Sequence, residues 1–136
     1  MMAIIDGTGP WFNDDDRNWM PWNWGDKSQG YKSAFANSYC KQTEEALLAA
    51  GQAVRYSRGP STLGLETGPY ARTAVDWIKG NHRGADPVYL MGYSRGASAV
   101  VSAASFLKRE APDLKIDALF LFDAVDRSPF TASEVV

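Results

Sequence analysis

Residues 87–108 read PVYLMGYSRGASAVVSAASFLK. The apolar run through Val88 and Met91 has the length and composition of a buried strand. It meets a tight Gly92-Tyr93-Ser94-Arg95-Gly96 turn, and residues 95–110 then return apolar side chains at helical spacing. Working outward, KIDALFLFD (115–123) is a second buried strand, MAIID (2–6) a first strand stopped by Gly7, and QAVRYS (52–57) a short one. Phe35, Tyr39, Ala46, Leu47 and Ala50 mark a helix over about 35–50, with Gly51 as its C-terminal stop. Pro69 suits the first turn of a helix over about 70–79, which GNHRGAD (80–86) closes. The order is β-α-β-α-β-α-β. Strands three and four are apolar without alternation, as expected where helices cover both faces of a parallel sheet. The expected fold is therefore α/β: a three-layer, doubly wound parallel sheet of about four strands.

The chain has 136 residues, 45% of them apolar and 22% charged, which bounds it to one soluble domain. A net charge of −2 without a basic face argues against nucleic acid as a partner. Cys40 is the single cysteine, so no internal disulfide forms, and it is expected to pack as a small apolar side chain on its helix. No signal peptide is legible, since the apolar start MMAII meets Asp6 at once, and no segment approaches the ~20 apolar residues of a membrane span. Synthesis in the cytoplasm is expected, with signal-independent secretion left open.

The turn at 92–96 fits the G-x-S-x-G pattern of a nucleophile elbow. Ser94 would occupy a strained backbone conformation between strand and helix, so the residues two before and two after it must lack side chains. The helix that begins at Arg95 would aim its positive end at a developing oxyanion, with the Arg95 N–H as one donor. The second donor would come from the loop after the first strand, where Gly7 and Thr8 are the candidates. The plainer alternatives are a glycine-rich turn that binds a phosphate or nothing, and an ordinary turn at Asp6-Gly7-Thr8.

Asp123 ends the strand after the elbow helix, on the same rim of the sheet as Ser94. A carboxylate that orients a histidine needs rigid support, which favours Asp123 over Asp126, three residues further into the loop. His82 is the one histidine. It lies before strand three, whose residues 87–94 at ~3.3 Å each separate it from Ser94 by roughly 20 Å. Proton transfer needs hydrogen-bond contact, so His82 is not the base. In the chain order Ser, Asp, His, the base would follow Val136, or a second chain would supply it, or the activity has been lost.

With these residues in hand, the sequence resembles the bacterial α/β-hydrolase family that includes phospholipase effectors of type VI secretion systems. The resemblance rests on Asp6-Gly7-Thr8 after the first strand, FNDDDRN (12–18) and ANSYCKQTEEALLAAG (36–51). It rests further on the elbow Gly92-x-Ser94-Arg95-Gly96-Ala97 and on Asp123-x-Val125 at a strand end. VRYSRGPSTLG (54–64) departs from the family's glycine pattern. Chlorophyllase-like esterases are similar through G-x-S-R-G and a strand-end D-x-V-D, which supports Asp123 over Asp126. The resemblance covers the first half of a family-length domain. It implies a partial α/β-hydrolase fold and hydrolysis of carboxylic esters, in several members phospholipids, without a metal or other cofactor.

Residues 9–32 form an aromatic-rich loop carrying Trp11, Trp19, Trp22 and Trp24. They read either as a lipid-docking lid or as side chains packed over the sheet. Trp11 and Tyr93 are candidate substrate contacts. Asp14-Asp15-Asp16 lacks the spacing of a calcium loop and reads as a solvated acidic stretch. Two functions remain in view. One is a serine esterase or lipase; the other is a non-catalytic binding module that dimerises through the sticky edge of strand 116–122.

Overall fold

MAII folds as β1 (Met2–Ile5), the strand around which the sheet is built, with all four residues buried. The computed structural model describes residues 1–8, 36–60 and 66–125. β1 pairs in parallel with β2 (Val54–Ser57) on one side and with β3 (Tyr89–Tyr93) on the other. β3 in turn pairs in parallel with β4 (Ala118–Phe122), giving the order β2-β1-β3-β4. The continuous apolar character of β1 follows from this central place, since neither of its faces meets water.

Helices cover both faces. Met2, Ile4 and Met91 point to one side and pack with Cys40 and Leu47 of α1 (Tyr39–Ala49). Ala3, Ile5 and Leu90 point to the other, where α2 (Thr67–Asn81) and α3 (Arg95–Glu110) bury Val75, Ile78, Val100 and Leu107. This is the expected three-layer, doubly wound α/β arrangement. The chain leaves β1 for β2 through α1 on one face, then returns across β1 to β3 through α2 on the other. Changing face together with direction keeps all the crossovers of one hand. The reversal places a crevice between the C-terminal ends of β1 and β3, the usual ligand position in such sheets.

Several boundaries differ from the sequence reading. α1 starts at Tyr39 because Ser38 caps it, its Oγ accepting the Lys41 N–H at 3.0 Å; Phe35 lies outside the described residues. Its buried face runs through Cys40 and Leu47, seven residues apart, so Tyr39 is 80% exposed rather than part of the apolar stripe. α2 starts at Thr67, three residues early, because Pro69 lies in a first turn that has no use for its missing N–H.

β4 is not buried. Leu119, Phe120, Leu121 and Phe122 are 39–47% exposed, because among the described residues β4 is an edge strand of the sheet and α1 packs mainly over β2, β1 and β3. Among the described residues no helix is long and apolar enough to cross a membrane.

Candidate functional site

The register fixes the site. β3 and β4 end together on the pair Tyr93↔Phe122, so Ser94 and Asp123 are the next residues on neighbouring strands. The Ser94 N–H donates to the Phe122 carbonyl at 2.8 Å, which holds the two backbones together at that point. Ser94 has φ 53° and ψ −123°, a region that side-chain-bearing residues rarely enter. Asp123 also has positive φ, 47°. Both are polar residues forced into conformations that favour glycine, one strand apart, at the C-terminal edge of a parallel sheet.

The flanking glycines make this turn sterically possible. A Cβ on Gly92 would stand 2.5 Å from the Ala97 Cα, and one on Gly96 would overlap the carbonyl oxygens of Ile5 and Asp6. α3 can therefore start directly at Arg95 with its axis aimed at the crevice, and its first N–H groups lie beside Ser94. Past Asp123, the Ser98 hydroxyl donates to the Val125 carbonyl at 2.8 Å, so the loop that follows Asp123 is tied back to α3.

The loop after β1 lies against the same turn. A Cβ on Gly7 would be 2.6 Å from the Tyr93 ring and 3.5 Å from the Ser94 Cβ, so glycine there lets the loop approach the serine. The Gly7 N–H, however, donates to its neighbour Asp6 Oδ1 at 2.8 Å. Of the two donors expected in this loop, the Gly7 N–H is thus engaged by Asp6, and Thr8 stays the candidate.

The sequence pattern gives Asp6 no role of its own, yet the residue is completely buried. Its Oδ2 accepts the Ser38 hydroxyl at 2.6 Å and the Tyr56 hydroxyl at 2.7 Å. Cys40 packs beside it, and burial, followed by the neighbouring Asp6 carboxylate, pushes the thiol up to about 12. The one legible signal is an aspartate placed directly after four strand residues that are buried on both faces.

These elements border an open cavity of ≈510 Å³ at the crevice. Asn37, Ser38 and Tyr39 at the start of α1 form one wall, with Tyr93, Phe122 and Asp123 forming the other. His82 is far from it: it caps the C-terminus of α2 at the opposite edge, its Nε2 3.0 Å from the Asp86 carbonyl. Trp11, the other tryptophans of 9–32, Asp14-Asp15-Asp16 and Asp126 lie outside the described residues.

Comparison of the chain with known protein families, with curated proteins and with solved structures finds no match. The site therefore rests on its own geometry.

Proposed function

We propose that this chain carries the nucleophile of a serine hydrolase of the α/β-hydrolase type, acting on carboxylic esters. The observation that carries the reading is the strained Ser94, held between β3 and α3 and one strand away from Asp123. Ser94 Oγ attacks the ester carbonyl and passes its proton to a histidine. The negative charge that develops on the carbonyl oxygen is met by the N–H groups of Arg95 and Thr8. Collapse expels the alcohol and leaves an acyl-serine, which water then hydrolyses. Asp123 orients the imidazole. His82 lies at the wrong edge, so the base is a histidine that this sequence does not contain. The aromatic walls of the cavity suit an apolar acyl chain, which makes lipid and phospholipid esters the favoured substrates. The likeness to type VI phospholipase effectors and chlorophyllase-like esterases points the same way.

The test is labelling of the purified chain with a fluorophosphonate, read by intact mass, with and without free imidazole as a substitute base. One adduct per chain, formed faster with imidazole and absent in Ser94→Ala, is the expected result. A folded chain that takes no adduct in either condition overturns the reading.

The exposed apolar side chains of β4 favour a second reading, a module that binds a second copy through this edge. In that case Ser94→Ala leaves self-association unchanged.

A further inference from the structure

The Asp6 carboxylate has no exposed surface and is surrounded by donors from three separate parts of the chain. Its own loop supplies the Gly7 N–H, the start of α1 supplies the Ser38 hydroxyl, and β2 supplies the Tyr56 hydroxyl. Ser38 also accepts the Lys41 N–H, so the carboxylate is linked through it to the first turn of α1. The main chain of the same residue is gripped as well. The Asp6 N–H donates to the Ser57 carbonyl at 2.9 Å. Its carbonyl is approached so closely by Gly59 from β2's loop and by Gly96 from the elbow that neither position has room for a side chain.

Burying a carboxylate costs several kcal/mol unless its oxygens are satisfied, and an alanine or serine would close β1 at less cost. The arrangement has a directional consequence. By turning the Gly7 N–H onto its own Oδ1, Asp6 fixes the peptide plane that joins it to Gly7, the residue from which the chain continues to Thr8. It also holds the α1 wall of the cavity at a set distance from the loop beside Ser94.

We infer that Asp6 is a positioning residue for the oxyanion site: its carboxylate fixes the Gly7–Thr8 loop so that the Thr8 N–H faces Ser94, and locks the α1 wall of the cavity to that loop. The inference rests on the hydrolase reading for its catalytic consequence. Asp6 touches no substrate; it acts through Thr8 and Ser38.

Fluorophosphonate labelling in the presence of imidazole, resolved into a maximal rate and a half-saturating probe concentration, tests it in Asp6→Asn, Ser38→Ala and Tyr56→Phe. Asp6→Asn is expected to lower the maximal rate about ten- to a hundred-fold, short of the loss of a whole oxyanion donor. The half-saturating concentration stays within about two-fold. The two hydroxyl deletions, which keep the carboxylate and serve if Asp6→Asn does not fold, are expected to lower the same rate by smaller factors. A folded variant set that labels at the parent rate overturns the inference.

Amide hydrogen exchange of Gly7, followed by NMR, separates this from the hydrolase reading. The Gly7 amide is expected to be protected in the parent and to exchange at least about ten-fold faster in Asp6→Asn, or in the hydroxyl deletions if that variant does not fold. If the parent chain never labels, the hydrolase reading falls, and unchanged Gly7 protection would then overturn the positioning role by itself.

Discussion

Ser94 and Asp123 stand side by side one step beyond the last pair of the β3–β4 ladder, and both turn there with positive φ, 53° and 47°. The Ser94 N–H to Phe122 carbonyl bond keeps them at the ~4.8 Å spacing of adjacent strands. Strain of this kind costs about 1–3 kcal/mol per residue and persists only where the surroundings impose it.

Relief of that strain gives the first prediction. Ser94→Gly removes the side chain that the backbone conformation disfavours, and it should stabilise the fold by about 1 kcal/mol in urea denaturation after the flexibility of glycine in the unfolded chain is deducted. Ser94→Ala keeps a Cβ and should show no such gain. Both should abolish fluorophosphonate labelling. A Ser94→Gly variant less stable than Ser94→Ala would show that the turn carries no strain.

Three glycines give a graded comparison. Gly92→Ala and Gly96→Ala press a methyl against backbone atoms that cannot move alone, Ala97 Cα in one case and the Ile5 and Asp6 carbonyls in the other. Each should cost about 3 kcal/mol or more, or prevent folding. Gly80 lies within α2 with nothing within 4 Å of the place an added methyl would take, so Gly80→Ala should stabilise by about 0.5–1 kcal/mol. Chemical denaturation of the three variants checks the order.

The parts of this molecule that are legible in the sequence are the local ones. The change from a continuous apolar run to helical spacing across Ser94 needs only some twenty consecutive residues to be read, and β1 is legible for the same reason. The Asp6 cluster is not, because Ser38 and Tyr56 are 32 and 50 positions away and nothing in their own neighbourhoods marks them as partners. The buried face of α1 escapes the sequence because Cys40 and Leu47 are too few to define a phase against Tyr39, Ala46 and Ala50. The exposure of β4 is a property of its place at the edge: LFLF reads identically in a covered strand.

That edge gives the next prediction. Phe120 is 43% exposed on the face that α1 leaves open, its ring 6.5 Å from that of Tyr89. An apolar edge strand pairs with whatever strand it meets, and a lysine there opposes pairing. The parent chain should sediment above its monomer mass at micromolar concentration, and Phe120→Lys should return it to monomer. The loss of one ring contact should cost the fold about 1 kcal/mol or less. A parent chain that stays monomeric at all concentrations removes the reading in which a second copy covers β4.

Cys40 supplies a pH dependence whose sign can be worked out. Burial, and then the Asp6 carboxylate, raise the thiol from its ordinary 9.0 to about 12 in the folded protein. Below pH 9 the thiol is protonated in both folded and unfolded chains, and it adds no pH dependence. Between pH 9 and 12 the unfolded chain has lost this proton while the folded chain keeps it, so stability falls as pH rises, by at most about 1.4 kcal/mol per unit. Lysines and tyrosines titrate in the same range, so the informative quantity is the stability difference between the parent and Cys40→Ala. That difference should be constant up to about pH 9 and then shrink as pH is raised, because the alanine variant has no thiolate to release on unfolding. The native thiol should likewise resist a disulfide reagent at about pH 8 and react at the rate of local opening, since the thiolate is the nucleophile and is scarcely populated there. A Cys40 that reacts at the speed of a free thiol in the folded chain would mean that the helix start around Ser38 and Cys40 opens readily, and the Asp6 cluster with it.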